Sequence, residues 1–135
     1  MKKIILALAF LGSSLANESD ILMLVYTMNK NNQAEALRLG KYYPKSQKDK
    51  MNIMTKCHEG DLIYCNNLGY LYTNSIGFAK DSNKALQIFT KACENNLAIS
   101  CYNLAQMTNN NNKRQEYLKK ACKLGDKYSC DLLSE

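Results

Sequence analysis

The chain has a single histidine, a single proline, and no alternation of apolar and polar residues long enough to suggest a sheet. Each shortage excludes something. A zinc centre takes closely spaced cysteine, histidine or carboxylate ligands; here His58 is the only imidazole, and the paired cysteines stand eight residues apart. No metal and no cofactor are expected. Nor does any apolar run approach the roughly 20 residues of a membrane-spanning helix, since the most apolar stretch runs only from Ile4 to Leu11. The formal charge is +6, but the lysines are dispersed, apart from those within 45–50 and the group Lys119, Lys120 and Lys123. A nucleic-acid footprint wants a clustered basic stripe, so neither a nucleic-acid partner nor a membrane anchor is expected.

What is present begins with an export signature. Lys2 and Lys3, the apolar run to Leu11 and the small-residue exit Ser14-Leu15-Ala16 have the three-part form of a secretory signal over 1–16. Cleavage is expected near Ala16/Asn17, releasing a secreted or periplasmic chain whose formal charge falls from +6 to +4 with the two lysines. No cysteine adjoins the cut, which argues against a lipid-anchored export signal.

Outside the cytosol, an even number of cysteines at a repeated spacing indicates a disulfide framework. The six fall into pairs eight apart: Cys57 with Cys65, Cys93 with Cys101, and Cys122 with Cys130. On one unbroken helix such residues would lie about 12 Å apart, whereas a bridge tolerates Cα separations of about 4.4–6.8 Å. Bridging therefore requires the chain to reverse within each pair. The intervening residues His58-Glu59-Gly60-Asp61, Glu94-Asn95-Asn96 and Lys123-Leu124-Gly125-Asp126 are of the kinds that end one helix and cap the next. Each pair reads as a staple across a helix–turn–helix corner. A closed loop of about nine residues stabilises by roughly 2.6 kcal/mol in the chain-entropy model, so three staples would contribute at most about 8 kcal/mol.

The pairs recur at intervals of 36 and then 29 residues, and the difference lies in the linker around Asn74 to Phe78. A shift of 29 also lays Met28 on Cys57 and Ala36 on Cys65, which predicts a first corner held by packing alone. Helical periodicity places helices at 19–29, 32–43, 46–58, 61–72, 81–94, 97–107, 113–124 and 126–133. Pro44 stops one helix, Ser46 caps the next, and Asp81 or Ser82 caps the helix beginning there. Ala85, Ile88, Phe89 and Ala92 form a core stripe continued by Leu118, Ala121 and Cys122, while 46–58 puts Asp49, Asn52 and Lys56 at those places. That helix is expected to pack less well or in another rotation. Gly40, Gly69 and Ala105 match one another as small residues at helix crossings.

The expected fold class is all-α: a disulfide-stapled α/α solenoid of stacked antiparallel helix pairs. Its organisation is a capping helix at 17–31 followed by an array over 32–135, divided at about 32–60, 61–96, 97–125 and a partial 126–135. The strings LIYCNNLGYLY, KDSNKALQIFTKACENN and SCYNLAQM resemble the Sel-one-like repeat, a relative of the tetratricopeptide repeat. The cysteines eight apart within it are similar to those of the Helicobacter cysteine-rich protein family. That resemblance implies a secreted interaction scaffold, often labelled β-lactamase or penicillin-binding protein.

Two functions follow as expectations. A superhelix of helix pairs offers an extended concave surface for a protein or peptide ligand, and Asn67 and Asn103 occupy equivalent places there, with Asn66, Tyr70 and Tyr102 nearby. A ladder of amides of this kind hydrogen-bonds the backbone of an extended peptide, with the chain as a monomer. The alternative, implied only by resemblance, is hydrolysis of a β-lactam. A serine enzyme of that type wants lysine three residues after serine, but Ser46, Ser82 and Ser100 are followed there by Asp49, Ala85 and Asn103. No catalytic residue is identified.

Overall fold

In a computed structural model the described residues are 18–135, with side chains described from Met28 onward. The expected leader at 1–16 lies outside them. The chain falls into two units, one ending at Ala34 and the other comprising Glu35–Glu135. All regular structure among the described residues is helical: α1 Glu18–Arg38, α2 Gln47–His58, α3 Leu62–Asn74, α4 Ser82–Glu94, α5 Ala98–Met107, α6 Asn111–Lys123 and α7 Lys127–Leu133. From α2 onward each helix packs against its neighbour in sequence.

Helix starts follow from side-chain acceptors that satisfy orphan backbone N–H groups. Ser46 Oγ accepts from Asp49 N at 3.1 Å, and Asp49 Oδ2 accepts from Lys45 N at 2.9 Å. Asp61, Asp81, Asn110 and Asp126 serve α3, α4, α6 and α7 in the same way. Leu97 occupies that place before α5 and supplies no side-chain bond.

The three corners share one construction. Cys57–Cys65, Cys93–Cys101 and Cys122–Cys130 are bridged, with Cα separations of 4.5, 4.7 and 4.7 Å. At each corner a residue of positive φ (Gly60, Asn96 or Gly125) donates its N–H to the carbonyl three residues back. The next residue (Asp61, Leu97 or Asp126) donates to the carbonyl five back, at 3.0 Å in every case. This is the left-handed helix stop in which the last carbonyls find partners.

The N-terminal region departs from expectation. The segments 19–29 and 32–43 are not two helices: α1 runs unbroken from Glu18 to Arg38, so the corner expected between Met28 and Ala36 does not exist. Asn29 to Asn32 supply polar residues but no left-handed stop, and a helix once begun propagates at low cost. The stop comes at Gly40, where φ is +69° and the bonds Gly40 N to Leu37 O and Lys41 N to Ala36 O reproduce the corner pattern. Gly40 is thus a helix terminator, not a helical residue at a crossing, and 41–45 is irregular.

Two core clusters hold the array. One comprises Ala85, Phe89, Cys93, Cys101, Leu104 and Ala121, and the other comprises Ile53, Leu68 and Leu71. On α2 only Ile53 is fully buried, while Met51 and Met54 are 60% and 46% exposed. Ile53 stands 36 residues before Phe89 and is buried as Phe89 is, so α2 keeps the rotation and contributes no second fully buried side chain of its own. The longer linker after α3 contributes Ile76 and Phe78 to the second cluster, with the Phe78 ring 5.2 Å from that of Tyr72. At Gly69 a Cβ would fall 2.6 Å from Phe89 Cε1, so the missing side chain lets the next helix seat its ring.

Candidate functional site

A groove of about 670 Å³ opens between α3, α5 and the start of α7. Its walls repeat on a helical period. Tyr70, Thr73 and Asn74 share one face of α3, and Tyr102, Asn103, Gln106 and Met107 share one face of α5. Asp126 and Tyr128 at the start of α7 and Leu39 and Lys41 past α1 complete the lining, and Leu39, Ile99 and Asp126 also line a smaller cavity of about 290 Å³. The volume suits a short segment of chain.

Of the five expected binding residues, Tyr70, Tyr102 and Asn103 line this groove, and Asn66 and Asn67 do not. Both latter amides are wholly buried. Asn67 grips the chain itself: its Oδ1 accepts from Tyr42 N at 2.9 Å, and its Nδ2 donates to Tyr42 O at 3.0 Å. One carboxamide thereby satisfies both polar groups of a residue in the irregular segment 41–45. Asn66 Oδ1 accepts from Ser100 Oγ and from Asn103 Nδ2, each at 2.8 Å, while its own Nδ2 has no partner among the described residues and faces Gly40.

Asn103 stands 36 residues after Asn67 and is half-buried. Its amide spends one N–H on Asn66 and keeps a second N–H and its carbonyl oxygen for the groove. Aromatic pairs flank it. Tyr43 and Tyr70 stack with ring centroids 6.5 Å apart, and Tyr102 meets Tyr128 edge-on at 5.5 Å. The neighbouring Tyr43 phenol raises the Tyr70 phenol above its ordinary pKa, with burial adding to it. Burial raises Tyr102, with Tyr128 and Asp126 contributing in the same direction.

Gln106 was absent from the expected set although it follows Tyr102 by four residues and Asn103 by three, the spacing of one helical face. For Leu39 and Lys41 no periodic signal exists, because they lie past the end of α1 at Arg38. Other reactive groups are placed elsewhere. All six cysteines are bridged, His58 is exposed at the first corner, and the Ser100 hydroxyl is buried against Asn66. Among the described residues no group of three or more His, Cys, Asp or Glu could hold a metal ion, and no helix is long and apolar enough to cross a membrane. No family model, curated protein or solved structure matches the chain.

Proposed function

We propose that the chain is an exported solenoid of stacked antiparallel helix pairs, of the Sel-one-like kind, that binds an extended segment of a protein or peptide in the groove between α3 and α5. One observation carries this reading. Asn67 already holds an irregular stretch of main chain through both ends of its amide, and Asn103, 36 residues later, presents the same group to an open groove walled by tyrosines. Tyrosine rings give large contact area at low entropic cost, and an amide that meets both N–H and C=O of one residue reads main chain regardless of sequence.

The three bridges fit an oxidising compartment, and a covalently braced thin array suits life outside the cell as a monomeric scaffold. Hydrolysis of a β-lactam has no comparable support, since the Ser100 hydroxyl near the groove is buried and engaged. The test is a screen of the oxidised chain against an extended-peptide library, followed by titration calorimetry on Asn103→Ala. Two backbone hydrogen bonds at about 0.5–1.5 kcal/mol each predict a loss of about tenfold in affinity, beside a loss of about 1 kcal/mol in stability from the bond to Asn66, with the fold retained. Full affinity in the variant would refute Asn103 as the backbone reader.

A further inference from the structure

Three bridges of one construction stand in three different surroundings. A cavity of about 290 Å³ opens beside the first, lined by Cys57, Cys65 and His58 of the corner and by Gln87, Ile88 and Lys91 of α4. Lys91 makes no ion pair among the described residues, and no carboxylate among them shares the cavity wall. At the second corner the equivalent places, 36 residues on within the corner and 29 on within the next helix, are filled differently. Glu94 stands for His58, Glu116 for Gln87 and Tyr117 for Ile88, while Lys120 keeps the place of Lys91. Tyr117 packs against the cluster that contains Cys93 and Cys101, and both cysteines are buried. The smaller Ile88 leaves Cys57 half-buried on an open wall. At the third corner no helix follows α7 among the described residues, so no next helix supplies a wall or a counterpart of Lys91.

Exchange of a disulfide with a thiol requires a thiolate to reach one of the two sulfurs, and nearby cations favour both the incoming thiolate and the one that departs. The first bridge combines access with an unpaired cation on the wall. The second is buried, and two carboxylates stand at the places of His58 and Gln87. The third is half-buried but lacks the enclosing helix.

We propose that the Cys57–Cys65 bridge is a site of thiol–disulfide exchange for a small thiol that carries a carboxylate. The cavity admits a small molecule, and Lys91 draws in its negative charge. The incoming thiolate attacks Cys57 Sγ, since Cys57 is the more exposed of the pair. A new S–S bond forms between the small thiol and Cys57, and the Cys57–Cys65 bond breaks. Its electron pair leaves on Cys65 as a thiolate, which takes a proton from water. A second molecule of the same thiol then displaces Cys57, so two thiols are oxidised to one small disulfide while the corner is reduced. Opening frees the loop between α2 and α3 and leaves the other two staples closed. The inference is independent of what the groove binds.

The experiment treats the oxidised full chain at low salt with mercaptopropionate, which is anionic, or with mercaptoethanol, which is neutral. Acid quenching and mass mapping then locate the mixed disulfides, and rates are compared per thiolate. Mercaptopropionate is expected first on Cys57, about tenfold faster than at the Cys122–Cys130 bridge. Lys91→Gln is expected to slow mercaptopropionate about threefold more than mercaptoethanol, as the loss of one exposed charge allows. Ile88→Tyr copies the second corner and is expected to slow both thiols about tenfold by closing the cavity. Unchanged helicity and the mass of the fully bridged chain verify that this variant folds. Equal rates at the first and third bridges, or a rate indifferent to Ile88→Tyr, would overturn the exchange site. An equal response of the two thiols to Lys91→Gln would overturn the preference for an anionic thiol.

Discussion

Replacing Gly69 by alanine tests the closeness of α3 and α4 through the sign of its effect. In an unconstrained helix interior, glycine to alanine stabilises by about 1 kcal/mol, because the backbone entropy of glycine is removed and a better helix former is installed. At Gly69 the new Cβ would stand 2.6 Å from Cε1, 2.9 Å from Cζ and 3.1 Å from Cδ1 of Phe89. Carbon atoms rest at about 3.5–4.0 Å, so the ring or the helix must retreat by about 1 Å. Phe89 is 2% exposed and packed among Ala85, Cys93 and Leu104, which leaves its rigid ring nowhere to swing. Overpacking of this kind costs about 1–3 kcal/mol. The net expectation is a loss of up to about 2 kcal/mol, where an ordinary helical glycine would show a gain. Urea denaturation with the bridges intact measures it. Gly69→Ala combined with Phe89→Leu should recover part of the loss, since a shorter side chain vacates the contested space. A Gly69→Ala variant more stable than the parent by about 1 kcal/mol would refute the close approach.

Limited reduction under native conditions should open the bridges unequally. Cys93 and Cys101 are 3% and 0% exposed while Cys57, Cys122 and Cys130 are half-buried, so mass mapping after mild phosphine treatment should find Cys93–Cys101 opened last; early opening of that bridge would contradict the packing of the middle corner. Complete reduction should lower the melting temperature and the helicity together, because about 2.6 kcal/mol per nine-residue loop is a large share of a small domain's stability. The phenols of Tyr42 and Tyr102 are raised chiefly by burial and that of Tyr70 chiefly by the neighbouring Tyr43 phenol. A phenol raised in the folded state favours folding while protonated. Stability should therefore hold below pH 10 and fall as pH rises through the folded values, and absorbance titration should show late-ionising tyrosines that become fewer in Tyr102→Phe.

The corners are legible in the sequence because the chemistry that makes them is local. A left-handed residue, a capping aspartate and two cysteines eight apart all act within one turn, and Gly60, Asp61, Cys57 and Cys65 carry the whole first corner. The shift that aligns Met28 with Cys57 fails for the same reason, since it matches composition over a stretch that contains no left-handed stop. The groove is half legible. Helical spacing puts Tyr102, Asn103 and Gln106 on one face, but nothing local marks Lys41 as its rim or Tyr42 as the residue that Asn67 holds from 25 positions away. Irregular segments are placed by the partners they find, and those partners are remote in sequence.

Asn66 and Asn67 separate what an amide contributes from what it merely occupies. They are adjacent, identical in size and both fully buried, so truncation to alanine removes the same atoms and leaves cavities of similar size. Their hydrogen bonding differs. Asn67 satisfies both ends of its amide on Tyr42, and its loss strands the Tyr42 N–H and carbonyl, at about 1–3 kcal/mol for each buried group left unpaired. Loss of Asn66 strands the buried Ser100 hydroxyl and one Asn103 N–H, but it also relieves a buried Nδ2 with no partner among the described residues. Asn67→Ala is therefore expected to cost about 1 kcal/mol more than Asn66→Ala. It should also free the 41–45 segment to proteolysis, which Asn66→Ala should leave protected. Equal losses in the two variants would mean that Asn66 is as well satisfied as its neighbour, and the asymmetry argued from its orphan nitrogen would fail.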